Sequence, residues 1–370
     1  MALPTSGQAA VITAYDAPLE LREYPVTAPR PGEILLRMDT ATVCGSDVHT
    51  WRGRMAQAHH IDLPIVPGHE GVGRVVALGQ GAERDSVGTD LAAGDRVIWA
   101  HEACGHCYYC SVERNGALCV NRRMGFLQPA EEAPHFHGTF GEYAYVWSNS
   151  GRLRVPDSVD SAIASAASCA LRTVISAWHK LGPVDYRHRV LILGSGPLGL
   201  FATALAASVS PAQVVVVGGP ESRLEVARAW GADVTISVDE HPDPQERRAL
   251  VAEATEGRGA DVVLELSGAP GAFADGLHDA ALNARYVVAG TVTGGEQPIP
   301  VQQITRKNIT IQGSLSADID SYYRGLKFLE AQRSRFDWSL MSGSSFPLSD
   351  ATSALELMAS QKEIKTAIVA

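Results

Sequence analysis

The hydrophobic rhythm of the chain changes near residue 189. Before it, short apolar runs stand between Gly, Pro and Asp turns, the pattern of a β-rich segment. The first forty residues read as strands, with 33–38 (EILLRM) the most β-rich and a turn region over 24–32 before it. Further strands are expected at 71–78 (GVGRVVAL), 96–99 and 142–146. Residues 44–49 fall at the end of a β run, in a loop or a single helical turn. The small residues of 161–170 (SAIASAASCA) suit a helix packed closely on its neighbours. From 189 onward, apolar strands at 190–193, 214–217, 234–237, 262–266, 286–289 and 309–312 alternate with helices. These helices end near 209, then cover 221–230, 245–255 and 271–281. Six strands with crossover helices predict a doubly wound parallel sheet. The tail adds helices at 322–331 and 350–360 and a strand at 365–369.

Composition narrows the class. A chain of 370 residues exceeds one compact core of usual size, so two domains are expected. With 45% hydrophobic and 19% charged residues it is globular. A net charge of -10 without a basic stripe argues against nucleic acid and anionic membrane surfaces as partners. Residues 1–10 show no basic stretch leading into an apolar core, so no signal peptide is expected. No window of ~18 residues is apolar enough to span a membrane. The expected location is the cytoplasm. There, closely spaced cysteines point to metal more than to disulfides, and the six stand at 44, 104, 107, 110, 119 and 169.

The chemistry concentrates in a few stretches. Cys44-Gly45-Ser46-Asp47-Val48-His49 places a thiol, a hydroxyl, a carboxylate and an imidazole within six residues. Gly68-His69-Glu70-Gly71 adds a second imidazole beside a carboxylate, and a lone Cys169 follows much later. Cys104, Cys107, Cys110 and Cys119 can close a tetrahedral four-sulfur zinc site of the structural kind, with His106 left facing solvent. Residues 121–138, with His135 and His137, form a polar irregular stretch that is either a surface loop or a cleft-lining one. Gly194-Ser195-Gly196-Pro197-Leu198-Gly199 follows a strand and opens a helix, the context in which glycines admit a pyrophosphate at a helix N-terminus. The acid expected at the end of the next strand is replaced by Gly218-Gly219, with Arg223 five residues on. That permits NADP and weakly favours it over NAD.

Taken together, these motifs resemble the zinc-dependent alcohol dehydrogenases of the medium-chain dehydrogenase/reductase family, over nearly the whole chain. The resemblance implies an α/β protein with a GroES-like β-barrel catalytic domain over 1–170, completed by 315–370, and a Rossmann coenzyme domain over 171–314. It implies that Cys44, His69 and Cys169 are the catalytic zinc ligands, with Glu70 behind the metal and able to approach it. Asp47 matches the residue that holds the ligand histidine, and Ser46 and His49 match a proton relay. Trp51 matches an aromatic wall of the substrate pocket, and Thr173 a residue beside the nicotinamide. Gly194, Gly196, Pro197, Leu198, Gly199, Gly218 and Arg223 would contact the cofactor. The implied protein carries two zinc ions per chain and moves hydride between NAD or NADP and a small alcohol or carbonyl substrate. Family members are homodimers or homotetramers. Loops around Trp51, 126–140 and Leu315 would shape the substrate pocket.

The sequence departs from the family pattern in three places. The last cysteine gap is eight residues where seven is usual. Cys169 stands where polyol and threonine dehydrogenase-like members have Glu, and Gly218 replaces the acid. Two competing readings remain on the same fold. A zinc-free quinone or enone reductase would lack the ligands, and a non-enzymatic nucleotide-binding protein would need no relay.

Overall fold

A computed structural model describes residues 3–57, 60–290 and 296–370, and divides the chain into two units. The first comprises the chain up to Cys169 together with Ala317–Gln332 and Trp338–Ala370. Its centre is the strand Ile34–Thr42, buried along most of its length. This strand pairs antiparallel with Val72–Leu78, with Tyr143–Val146 at its start and with Ala367–Val369 at its end. Val72–Leu78 continues to Arg96–Trp99, and that strand to Arg152–Arg154. Ser345–Pro347 completes a seven-stranded sheet beside Ala367–Val369. A separate two-stranded sheet joins Ser6–Val11 to Glu20–Pro25. The C-terminal helix Ala351–Ala359 buries Ala351, Ala354, Leu355 and Met358 in one core with Ile12, Val43, Val48 and Phe140. That core backs the segment carrying the Cys44–His49 motif.

The second unit comprises Ala170–Ser316 with Arg333–Asp337. Residues 333–337 belong here because Arg335 donates to the Ala207 carbonyl and the Asp337 carbonyl accepts the Trp230 indole N–H. All six expected strands form, as Arg189–Leu193, Gln213–Gly218, Val234–Ser237, Ala260–Glu265, Ala280–Val288 and Thr310–Gly313. Every pairing among them is parallel, and in chain order the sheet runs 3-2-1-4-5-6. This is the doubly wound arrangement, in which ligands bind beyond the carboxyl ends of strands one and four. Most bounds shift by a residue or two, and one region differs more. The helix expected over 271–281 is Ala272–Asp279, and the fifth strand begins at Ala280 instead of 286. An Ala-rich run carries helix propensity, but Asn283 adopts φ 60° and the segment pairs with Ala260 across a bulge. Tertiary pairing overrides the local preference.

Candidate active site

Cys44 is the N-cap of the helix Gly45–Trp51, in extended conformation at φ -98° and ψ 157°. The helix is longer than the single turn expected because Asp47 closes a capping box. Asp47 Oδ2 accepts the Cys44 backbone N–H at 2.8 Å, while Oδ1 lies 2.8 Å from His69 Nδ1. One fully buried carboxylate therefore orients both Cys44 and His69. With Nδ1 donating to Asp47, His69 presents the lone pair of Nε2 on the opposite side. Ser46 Oγ lies 3.4 Å from that Nε2. Gly68 delivers His69 at φ +90°, and a Cβ there would fall 2.4 Å from the Phe140 ring and from Thr139 Oγ1. Cys169 lies in a π-helical turn, Ala167–Leu171, after the α-helix Ser161–Ala166. Such turns widen the helix locally and recur at functional positions. Ligand atoms of Cys44, His69, Glu70 and Cys169 all lie within 4.8 Å of one another.

The electrostatics of this cluster suit a bound cation. Contact with Cys169, together with burial, raises the Cys44 thiol above its ordinary value. Burial pushes Glu70 up to about 7, against the pull of Lys365. Lys365 Nζ lies 2.6 Å from both Glu70 oxygens, and Thr42 Oγ1 donates to one of them at 2.5 Å. Burial opposes the Lys365 charge, yet Glu70, Cys44 and Cys169 hold its ammonium above the ordinary lysine value. Glu70 thus borders the cluster while paired with Lys365. Lys365 was not singled out from the sequence. Its one signal is a lone lysine opening the apolar run TAIVA.

The second cysteine group is equally compatible with zinc. Cys107 Sγ lies 3.5 Å from Cys110 Sγ and 3.9 Å from Cys119 Sγ. Disulfides need ~2.05 Å. Four sulfurs at ~2.3 Å from a common zinc stand ~3.8 Å apart. The His106 backbone N–H and the Asn121 amide bring Cys104 down to about 6, favouring the thiolate that binds metal. His106 itself is exposed and lies outside the group.

Other candidate residues take varied positions. His49 is half-buried, and burial chiefly, aided by Arg54, lowers its pKa. Its Nδ1 is buried without a hydrogen-bond partner among the described residues. Trp51 is 8% exposed, packs in the apolar core and donates its indole N–H to the Ala17 carbonyl at 2.6 Å. Phe126, from the irregular 121–138 stretch, lies with its ring centre 4.9 Å from that of His69, and His101 lies 5.7 Å from Phe126. That stretch thus borders the metal-ligand cluster. His135 instead stacks on Tyr24 at 5.1 Å.

In the second unit, Gly194 adopts φ +113°, and a Cβ on Gly199 would lie 1.8 Å from the Gly194 carbonyl oxygen. Gly196 caps the twelve-residue helix Pro197–Ser208, which includes Leu198, and a Cβ on Gly196 would meet nothing within 4 Å. This open backbone at a helix N-terminus fits a pyrophosphate. Ser195 Oγ donates to the Gly219 carbonyl at 2.9 Å, and a Cβ on Gly218 would fall 2.4 Å from that Oγ. Arg223 is buried, which lowers its pKa. Thr173 is buried in the first turn of the helix Arg172–Leu181.

Comparison with known proteins accords with this geometry. Residues 30–157 match the alcohol dehydrogenase GroES-like domain, and residues 197–331 match the zinc-binding dehydrogenase domain. The chain is 33% identical over 352 residues to 5-exo-hydroxycamphor dehydrogenase of Pseudomonas putida, covering 95% of each. It is 29% identical over 346 residues to L-threonine 3-dehydrogenase of Bacillus subtilis, covering 92% of each. The crystal structure of an alcohol dehydrogenase from Thermotoga maritima superposes with a TM-score of 0.90 at 32% identity, covering 98% of this chain and 99% of that one. The chain belongs to the zinc-containing alcohol dehydrogenases of the medium-chain dehydrogenase/reductase family. It has their two-domain architecture of a GroES-like domain and a Rossmann domain, and it is a zinc-dependent oxidoreductase acting on small-molecule alcohols. Among the described residues, no helix is long and apolar enough to cross a membrane.

Proposed function

We propose that the chain interconverts a secondary alcohol and its ketone, using Cys44, His69 and Cys169 as zinc ligands and NADP at least as well as NAD. The observation that carries the reading is the convergence of those three side chains, with Ser46 Oγ beside His69 Nε2. When bound, zinc supplies Lewis acidity toward the substrate oxygen, and the nicotinamide takes up or returns the hydride. Asp47 fixes the histidine tautomer, and the Lys365 pair compensates the charge of Glu70. Ser46, whose Oγ lies 3.4 Å from His69 Nε2, would serve as first proton acceptor. His49, three residues on along the same helix, is the terminal base. Its lowered pKa keeps the neutral form populated below the ordinary histidine value. Cys104, Cys107, Cys110 and Cys119 hold a second, structural zinc.

The hydroxyls oxidised in 5-exo-hydroxycamphor and at carbon 3 of L-threonine are both secondary, which supports the substrate class. The Phe126 ring against His69 favours an apolar substrate over an amino acid. We place the catalytic domain at 1–170 with 315–370, less the 333–337 segment, and the coenzyme domain at 171–314 together with that segment. We also expect a cytoplasmic homodimer or homotetramer with neither nucleic acid nor membrane as partner. The exposed apolar side chains Ile299, Val301 and Leu315 support self-association. The test is zinc analysis of purified protein together with a panel of primary, secondary and amino alcohols, each with NAD and NADP. Full turnover in protein stripped of zinc, or no cofactor reduction with any alcohol, overturns the reading.

A further inference from the structure

Three buried polar atoms lie outside the chemistry above and lack a hydrogen-bond partner among the described residues. They are His137 Nδ1, Thr139 Oγ1 and Trp147 Nε1. Their residues are 8%, 4% and 6% exposed. All three residues line one cavity of about 20 Å³, whose other walls include His69, His101, Gly125 and Phe126. An unpaired buried polar atom is costly, and three around one cavity call for a shared partner. A cavity of ~10–15 Å³ or more, offering two to four polar contacts, holds one water.

The hydrogen-bonding roles are complementary. His137 Nε2 lies 2.9 Å from the Glu132 carbonyl, so Nε2 carries the proton and Nδ1 is an acceptor. Burial brings His137 down to about 4, which keeps this neutral form at neutral pH. Trp147 Nε1 only donates, and Thr139 Oγ1 does either. The His137 and Trp147 ring centres are 5.9 Å apart, and the two side chains make no direct bond. The cavity also touches the metal-ligand segment through the backbone. The Thr139 N–H donates to the Gly68 carbonyl at 3.0 Å, and the Phe140 N–H to the Pro67 carbonyl at 3.1 Å.

We propose that this cavity binds one water molecule, held by His137 Nδ1, Thr139 Oγ1 and Trp147 Nε1, and that this water positions the Gly68–His69 segment. It is thereby a remote support of the catalytic metal, reached through Thr139 and distinct from the Asp47 contact. The inference rests on His69 being a zinc ligand. The zinc content of wild type tests that assignment separately.

The experiment has two arms. A crystal structure of the zinc-loaded enzyme should show one ordered water within about 3.2 Å of all three atoms. Absence of that water, or rotation of the side chains to bond one another, overturns the proposal. The second arm follows zinc release to a chelator from wild type and from Trp147→Phe, which keeps an aromatic ring but loses the donor. One of the two zinc equivalents should leave severalfold faster in the variant, with the other unchanged. Equal release of both, or equal acceleration of both, overturns the positioning role. Thr139→Val serves the same comparison if Trp147→Phe folds poorly.

Discussion

Ser195 decides what can stand at position 218. Its hydroxyl crosses to the Gly219 carbonyl and occupies the space that any Cβ on Gly218 would need. Gly218→Asp should therefore weaken binding of NAD and NADP alike, and not switch preference. Fluorescence titration with NADH and NADPH checks this, and a clean gain in NADH affinity would show that the loop yields. Arg223 is a buried guanidinium near the same strand end, so Arg223→Ala should erode NADP preference about ten- to a hundredfold, the value of a charge-assisted contact. In the other unit, Ser46→Ala should slow turnover roughly 10²-fold with cofactor affinity intact. The lowered pKa of His49 places the acid limb of the pH–rate profile below 6.5, and His49→Gln should remove that limb. A limb unchanged in His49→Gln would assign the proton to another route.

The clustering of potential metal ligands was legible from spacing only where they fall within one short stretch. The grouping of Cys104, Cys107, Cys110 and Cys119 could be read from spacing alone because all four lie within sixteen residues. The apolar side chains of this lobe fit the proposal that a metal holds it. Tyr108, Val112, Leu118 and Val120 are all exposed, so the lobe has almost no core of its own. Cys104→Ser should release one zinc and expose residues 104–119 to proteolysis, with the parallel sheet unaffected. Limited digestion followed by mass spectrometry reads this, and an intact lobe would place its stability elsewhere. The helix Gly45–Trp51 was less legible, because Asp47 caps it from within while also holding a histidine 22 residues away. The π turn at Cys169 could not be read at all. Residues 161–170 look like ordinary helix in sequence, and only the folded backbone shows the π turn over Ala167–Leu171.

Across the whole molecule, the parallel sheet was the most legible part, since each strand is an apolar run bounded by its own crossover. Long-range pairs were opaque. Lys365 meets Glu70 across 295 residues, and no local pattern announces it. The pH response of stability is also a property of the whole fold. His137 is held neutral down to about 4, whereas in the unfolded chain it titrates near 6.5. Its contribution is complete above 6.5 and is lost as pH falls toward 4, because the unfolded chain takes up the proton first. Melting temperatures across that window should fall less steeply for His137→Gln than for wild type, and parallel slopes would point to another group. The spacing of the two ligand sets carries a last consequence, for synthesis. Cys104 to Cys119 leave the ribosome within moments of one another and close a short loop at small entropic cost. The other set must wait for Cys169, and its buried carboxylate waits for Lys365, when the coenzyme sheet has already been made. Under zinc starvation the nascent lobe captures metal first. Cells short of zinc should then accumulate a folded, half-loaded and inactive chain that recovers on adding zinc without new translation.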